Sequence, residues 1–181
     1  MGQFDNVGTS AANFLKIGVG GKASGMAGAV TGEVDDPTSL YWNPAGIVKI
    51  ERPMAHFYHS PWIADVQFNH SAVVVPLDRS SSFGFFITSV TMEEMQVHTV
   101  KSPQGTGEYF SVSNVALAGS YARRLTDRFS FGVNMKFIQE KIWHMNAGGL
   151  AVDLGSLFVT KNSGLRIGMS VSNFGGKISM D

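Results

Sequence analysis

The most regular feature of this sequence is an alternation of apolar and polar residues that begins near residue 53. Between 128 and 137 every second residue is Phe, Val or Met, and the residues between them are Arg, Ser, Gly, Asn or Lys. A period of two is typical of a β-strand whose two faces meet different surroundings. The pattern predicts seven strands, at 53–59, 66–76, 83–91, 114–121, 128–137, 148–158 and 165–172.

The lengths of these strands and of the links between them indicate a membrane barrel. Several segments are about ten residues long, and a tilted strand needs about nine to eleven residues to cross a bilayer. Short turns that alternate with longer loops are typical of bacterial outer-membrane barrels. The short links are predicted at 77–82, 124–127 and 160–164, and the longer ones at 60–65, 93–110 and 140–147.

The less hydrophobic face of the strands supports the same interpretation. A water-soluble antiparallel sheet usually carries charged residues on its outer face. Here that face is mostly Gly, Ala, Ser and Asn. We therefore expect the small and polar face to line a barrel lumen, and the face with Phe, Leu and Val to meet lipid. A soluble β-sandwich is the alternative that the pattern leaves open.

Residues 1–50 form a different region, rich in Gly, Ala and Ser and without a sustained period. Asp36-Pro37 and Asn43-Pro44 each place a capping residue before proline, an arrangement typical of the start of a helical turn. We expect a compact segment of one-turn helices and tight loops, followed by the strands of 51–181.

Composition excludes several classes of protein. Lys plus Arg and Asp plus Glu both number 14, so the chain has neither the basic stripe of a nucleic-acid binder nor a polyacidic tail. With no Cys, the chain has no disulfide, thiolate metal site or Cys nucleophile. Charged residues make up only 15% of the chain and 21 residues are glycine, a balance that suits a sheet with one face in lipid.

Motifs for enzymatic chemistry are weak. The G-x-G-x-x-A string at 18–23 lacks the preceding strand and βαβ context of a dinucleotide site. His56 and His59 are predicted to point to opposite faces of one strand. Ser60, His59 and Asp65 could supply a hydrolase triad, but no nucleophile-elbow motif accompanies them. We therefore expect no enzymatic activity, no metal and no cofactor.

Four runs of residues carry a resemblance to a known family. They are 8–20, 25–29, 35–46 with its Leu-Tyr-Trp-Asn-Pro-Ala-Gly sequence, and 121–129. The chain resembles the PorV/PorQ family of outer-membrane proteins, which is itself similar to the FadL long-chain fatty-acid transporters. The resemblance implies an all-β, transmembrane antiparallel β-barrel of about fourteen strands, with an N-terminal plug segment in the lumen.

The sequence departs from that family in two ways. It lacks the expected signal peptide, and it stops at Asp181, after the seventh predicted strand. Seven strands would leave two unpaired edges in lipid, which membranes do not tolerate. The expectation is therefore that the chain is the N-terminal half of a longer barrel.

The resemblance also implies a function. PorV serves the type IX secretion system and receives cargo that carries a C-terminal sorting domain. We therefore expect an outer-membrane protein that contacts lipid and binds secretion-system proteins or secreted cargo. The loop 93–110 is then the surface that faces these partners, together with Trp62 and Trp143. The alternative is a FadL-like channel for uptake of hydrophobic small molecules.

The run Tyr41, Trp42, Asn43 and Pro44 is the main candidate for contact with a ligand or partner. In one interpretation the Asn-Pro-Ala turn lines a passage and the two aromatic side chains touch the ligand. In the other, which we favour, Asn43 caps a turn while the aromatic residues wedge the N-terminal segment against the wall.

Overall fold

Seven strands form one antiparallel sheet in the computed structural model, which describes residues 12–33, 35–62, 65–100, 102–161, 164–176 and 178. Each strand pairs with the next one along the chain, in the order β1 to β7. The strands are β1 (Met54–Pro61), β2 (Val66–Pro76), β3 (Ser81–Gln96), β4 (Tyr109–Arg124), β5 (Phe129–Ile142), β6 (Met145–Val159) and β7 (Arg166–Gly175).

The strand predictions are confirmed, and most strands extend beyond the predicted segments. Short helical turns precede the sheet, as the capping signals predict. None of the helices in the described part of the chain has both the length and the apolar character needed to cross a membrane. The helical turns are two 3-10 helices, Asn13–Lys16 and Pro44–Lys49, and two α-helices, α1 (Gly21–Gly25) and α2 (Ser39–Trp42).

The two faces of the sheet have different surroundings. On β5 every second residue from Ser130 to Glu140 is buried, whereas Phe131, Met135 and Phe137 are exposed. The buried side faces the N-terminal segment, which comprises residues 12–33 and 35–50. We call it the covered face, and we call the opposite side the open face.

The N-terminal segment packs its apolar residues onto the covered face. Leu40 and Ile47 lie fully buried in one cluster with Phe86. Phe14 and Leu15 belong to a second cluster. The residues that the sheet contributes to this second cluster are Phe68, Val90, Ala116, Ile138 and Ala151. The hydrophobic core therefore lies between the sheet and the segment that precedes it.

The open face carries an apolar band that continues from strand to strand. Open-face residues of adjacent strands lie side by side in the strand register, for example Phe85 beside Gly119 and Met135 beside Val152. Many of its large apolar side chains are exposed. They include Phe57, Val73, Val75, Phe83, Phe85, Leu117, Tyr121, Phe131, Met135, Phe137, Leu150, Leu154, Ile167, Met169, Val171 and Phe174.

The apolar band stops short of the end of the sheet at which the odd-numbered strands β1, β3, β5 and β7 have their last residues. At that end the open face presents Gln67 beside Thr91, Ser113 beside Lys141, and other polar pairs. The sheet therefore has an apolar zone with a polar border on its uncovered side.

Two of the predicted long links are wrong. The link predicted at 60–65 is no longer than the short ones, because β1 extends to Pro61 and β2 starts at Val66. The long link at 140–147 is absent, because β5 continues to Ile142 and pairs with Met145 at the start of β6. Only Trp143 and His144 connect the two strands, and Trp143 adopts a positive φ of 55°. Two-residue hairpins usually carry Gly, Asn or Asp at such positions, so this turn has no recognisable signal in the sequence. The longest link is the loop 97–108 between β3 and β4.

β1 and β7 are the two edges of the sheet. Because neighbours are antiparallel throughout and the strands are seven in number, β1 and β7 run in the same direction. Within the described residues neither edge pairs with another strand on its outer side.

Candidate functional site

The predicted site residues Tyr41, Trp42, Asn43 and Pro44 lie together against the covered face. α2 ends at Trp42, and Pro44 starts the second 3-10 helix. Asn43 separates the two in an extended conformation, with φ of -161°. This sharp change of direction lets one short run of sequence reach both the wall and the rest of the N-terminal segment.

Asn43 is fully buried and joins three parts of the chain. Its Oδ1 accepts a hydrogen bond from the Ala45 amide at 3.1 Å, which confirms the predicted helix cap. Its Nδ2 donates to the carbonyl oxygens of Thr31 and Ser156, each at 2.9 Å. Ser156 lies on β6, so one side chain fastens both its own turn and the loop at Thr31 to the wall.

Tyr41 and Trp42 fasten the first 3-10 helix and the residues after it. The Tyr41 hydroxyl donates toward the carbonyl oxygens of Leu15 at 2.6 Å and Ile17 at 3.0 Å. Trp42 Nε1 donates to the carbonyl oxygen of Val19 at 2.9 Å. Burial raises the pKa of Tyr41 to about 12, and the charge of Asp153 acts in the same direction. These bonds support the structural interpretation of the two aromatic residues.

Glycines on the covered face make room for this contact. A Cβ added at Gly155 would lie 2.8 Å from Pro44 Cδ and would clash with Asn43 Oδ1. A Cβ at Gly132 would lie 2.5 Å from the backbone of Pro44 and Ala45. Gly84 faces Leu40, and Gly168 faces the Thr31 carbonyl, in the same way. These glycines lie on four different strands, so the covered face of the sheet is shaped to receive Thr31, Leu40 and residues 43–45.

A buried polar network lies beside the contact. Lys136 Nζ and Asp153 Oδ2 are 2.7 Å apart, and both side chains are almost completely buried. Asn134 Nδ2 donates to Asp153 Oδ2 at 2.7 Å and to the carbonyl oxygen of Leu40 at 2.7 Å. Lys136 also donates to Asn173 Oδ1 at 2.8 Å. The network therefore connects β5, β6 and β7 to the N-terminal segment.

Sequence reasoning missed most of this network. Lys136 pairs with Asp153 on the covered face. Asp36 accepts a hydrogen bond from the Thr38 amide at 2.7 Å. Asp35 pairs with Lys22 at 2.8 Å. The one available signal was the isolated charge at 136 and at 153, each on a face of otherwise small residues.

Trp62 and Trp143 lie elsewhere. Each follows the end of an odd-numbered strand, at the same end of the sheet as the loop 97–108. Trp62 is half exposed and Trp143 is 41% exposed. Trp143 packs on His144, with ring centroids 4.7 Å apart. The structure therefore divides the predicted site residues into a buried group, Tyr41 to Pro44, and an exposed pair at the loop end.

Among the described residues, the side chains of the weaker motifs lie on different parts of the fold. Ser60 belongs to the covered face and His59 to the open face, where His59 Nδ1 lies 2.8 Å from Asn69 Oδ1. No three His, Cys, Asp or Glu side chains of the described residues cluster as metal ligands. The glycines of 18–21 follow the first 3-10 helix and lead into α1.

A cavity of about 580 Å³ opens at the end of the sheet opposite the loop 97–108. It lies between the end of the second 3-10 helix and the β2–β3 turn, and Arg124 donates from Nη2 to the Val48 carbonyl beside it at 3.3 Å. The lining residues are Val48, Ile50, Glu51, Pro76, Leu77, Asp78, Arg79 and Arg124.

Comparison with known proteins identifies a family by sequence. Neither a curated protein nor a solved structure matches the chain. A family model described as an uncharacterised protein family matches residues 3–178, which is nearly the whole chain. The match includes the N-terminal segment as well as the strands, so both parts of the fold belong to the family's pattern. The chain is a member of the uncharacterised protein family UPF0164.

Proposed function

We propose that this sheet is part of the wall of an outer-membrane β-barrel, and that the barrel passes hydrophobic small molecules through its lumen. The observation that carries the proposal is the inverted distribution of side chains. Large apolar residues occupy the open face without a cover, whereas the covered face combines glycines, alanines and a buried ion pair with apolar residues that pack beneath the N-terminal segment. That distribution is unfavourable for a sheet in water and favourable for one in lipid.

The height of the apolar band fits a membrane. On β5 the apolar side chains run from Phe129 to Phe137, a rise of roughly 27 Å at 3.4 Å per residue. Strands of outer-membrane barrels tilt by about 35–45°, which reduces this to roughly 19–22 Å, somewhat less than the apolar belt of about 25 Å that such barrels have. The polar rows beyond the band, such as Ser113 beside Lys141, would then lie at the headgroups.

The two edges of the sheet require further strands in this proposal. Unpaired backbone groups are not tolerated in lipid, so β1 and β7 must each gain a neighbour. If a second copy in the same membrane orientation closed the barrel, β7 of one copy would lie beside β1 of the other, and these two strands would be parallel. An all-antiparallel barrel therefore needs an odd number of additional strands.

The interior favours hydrophobic molecules. Near the loop end the covered face presents Phe68, Val90 and Ile138, and Phe14 and Leu15 pack against it. A lumen for ions or sugars would be lined by polar groups at this level, whereas apolar walls lower the cost of moving an apolar molecule out of water. The N-terminal segment that fills this region is then the part that must yield to the passing molecule.

An uptake assay tests this role. The chain is reconstituted in lipid vesicles together with the strands that close its barrel, and entry of a fluorescent hydrophobic probe is followed. Val90→Gln places an amide in the apolar interior and is expected to slow entry several-fold. Ser89→Gln is the matched control, because Ser89 directly precedes Val90 on β3 and points to the open face. Equal rates for the two variants would contradict the proposed path.

A role in protein secretion is the second candidate, and the β3–β4 hairpin favours it. Both strands have 16 residues, longer than the apolar band needs, and they carry the loop 97–108 away from the sheet. Val100 is fully exposed and Tyr109 is 56% exposed. Exposed loops on a rigid barrel are common binding surfaces.

Deleting 98–108 tests the second candidate. If this loop binds secreted cargo or secretion-system proteins, cells that carry the deletion should lose attachment of those proteins while the barrel still inserts. Trp62→Ala and Trp143→Ala should weaken the same interaction. Unchanged attachment in the deletion would argue against this surface, and an unchanged probe uptake would show that the two roles are separate.

A further inference from the structure

Two histidines from neighbouring strands lie together on the covered face, away from the contact at Asn43. His56 is on β1 and His70 is on β2, and their ring centroids are 6.4 Å apart. His70 is 1% exposed. The pair is distinct from His59, which points to the open face of β1.

In each histidine of this pair, one ring nitrogen is buried and has no hydrogen-bond partner among the described residues. His70 Nδ1 lies 2.9 Å from Thr88 Oγ1, so one side of that ring is held by a hydrogen bond. His70 Nε2 and His56 Nδ1 are both inaccessible to solvent, and neither has a hydrogen-bond partner among the described residues. Buried nitrogens of this kind are costly to leave unsatisfied. A bound species that accepts two nitrogen lone pairs would satisfy both.

The hydrogen bond to Thr88 prepares His70 as a ligand. With its proton on Nδ1, His70 donates to Thr88 Oγ1 and presents a lone pair at Nε2. Metal-bound histidines almost always donate their other ring N–H to such a second partner, which fixes the tautomer and the orientation of the ring. Thr88 is completely buried, so this orientation is held firmly.

The apolar surroundings of the pair favour a bound metal ion of low charge. The edge of Tyr41 and the ring of Phe86 lie next to His70, with centroids at 6.1 and 5.4 Å. Among the described residues no carboxylate joins the two histidines in a three-ligand cluster. The Born cost of burying an ion rises with the square of its charge, so an apolar site without a carboxylate favours a monovalent ion. Among metals that imidazole binds well, copper has a monovalent state.

We propose that His56 and His70 form a two-imidazole site for a monovalent copper-class cation, and that Thr88 positions His70. The ligands bind as neutral imidazoles, so the bound site carries the single positive charge of the ion. The site is independent of the proposed transport role, because it needs only the pairing of β1 with β2.

Binding of Ag⁺, a monovalent probe that avoids copper redox chemistry, tests the site. The full chain is prepared in detergent micelles with ¹⁵N-labelled histidine, and the ring nitrogens are followed by NMR during titration. One equivalent of Ag⁺ should shift His56 Nδ1 and His70 Nε2. His56→Ala should remove the shift at His70, and Thr88→Val should weaken binding about 10-fold or more.

The control is His59→Ala, which removes a histidine from the same strand but from the other face. It should leave the shifts at His56 and His70 unchanged. Shifts confined to other histidines, or binding that is unchanged in His56→Ala, would overturn the proposal. Zn²⁺ shifting the same two nitrogens at equal or lower concentration would overturn the assignment to a monovalent ion. His56 is partly exposed on an edge strand, so His56→Ala should fold even if His70→Ala does not.

Discussion

The two faces of the sheet differ in residue type and in solvent exposure, and neighbouring residues show the contrast most clearly. Phe85 and Phe86 are adjacent on β3, yet Phe85 is 45% exposed and Phe86 is fully buried. On β4, Gly119 faces the open side beside Phe85, whereas Ala118 is buried beneath the N-terminal segment. The same backbone thus carries an apolar face without a cover and a small, partly polar face with one.

The difference teaches that hydrophobicity alone does not locate the core of this molecule. The core consists of the N-terminal segment and the covered face, and its wall includes glycines and an ion pair. The more apolar face lies outside it. Exposed apolar patches larger than a few hundred Å² are rare on soluble monomers and usually mark a membrane or protein contact. Substitutions on the covered face and on the open face are therefore expected to change stability for different reasons.

The largest effect is expected on the covered face, from Asp153→Ala. This change leaves the Lys136 ammonium buried without its partner, and breaking a buried ion pair in this way costs about 3–5 kcal/mol. Denaturant unfolding measures the loss. Adding Lys136→Met to Asp153→Ala should recover a large part of it. If Asp153→Ala unfolds like the parent protein, the network does not hold the N-terminal segment.

On the open face, Met135→Arg should be nearly as damaging if that face lies in lipid. Met135 is 70% exposed within the apolar band, at the open-face position next to the central Val133. Arg near the middle of a bilayer destabilises a barrel by about 2–4 kcal/mol, whereas exposed substitutions in water usually change stability by less than about 0.5 kcal/mol. Unfolding from lipid vesicles gives the value. Gln139→Arg, in the polar row of the same strand, is the control and should cost far less.

Tyr41 provides a pH test of the docked N-terminal segment. An exposed tyrosine titrates near 10.0, and burial raises the pKa of Tyr41 to about 12. Because the folded state keeps this proton longer, the stability is complete below pH 10 and is lost as pH rises through 12, by roughly 2–3 kcal/mol. Stability measured across this range should fall less in Tyr41→Phe than in the parent. The same fall in both would show that Tyr41 is not buried.

Two glycines give the smallest and most closely matched comparison. At Gly155 an added methyl would clash with Asn43, so Gly155→Ala should destabilise by about 1–3 kcal/mol and should loosen the N-terminal segment. At Gly119 no described atom lies within 4 Å of an added Cβ. Gly119→Ala should therefore be neutral or stabilising by about 0.5–1 kcal/mol. Thermal unfolding and protease sensitivity of residues 12–50 distinguish the two variants, and equal effects would contradict the difference between the faces.

Much of the fold could be predicted from the sequence because the strand pattern is local. Alternation on β5 identifies both the strand and its two faces, and the Asn43-Pro44 pair identifies a capped turn. The β5–β6 turn could not be predicted, since Trp143 and His144 carry no turn signal.

The contacts of the candidate site were harder to predict because they join distant parts of the chain. Nothing local indicates that Asn43 bonds to Ser156, or that Gly155 is small to admit Asn43. Lys136 and Asp153 become partners only through the register of β5 and β6. Long-range pairing decides these contacts, whereas sequence periodicity reports only which face a residue occupies.

The central claim, that the open face of the sheet lies in lipid, is tested most directly by spin labelling of β5. The chain contains no Cys, so single cysteines can be introduced at each position from Ser130 to Phe137 and labelled one at a time in lipid vesicles. We predict that labels at 131, 133, 135 and 137 are accessible to dissolved oxygen and shielded from a water-soluble nickel reagent, with the opposite behaviour or general shielding at even positions. Access of the nickel reagent to the odd positions would contradict the account, because it would place the open face in water.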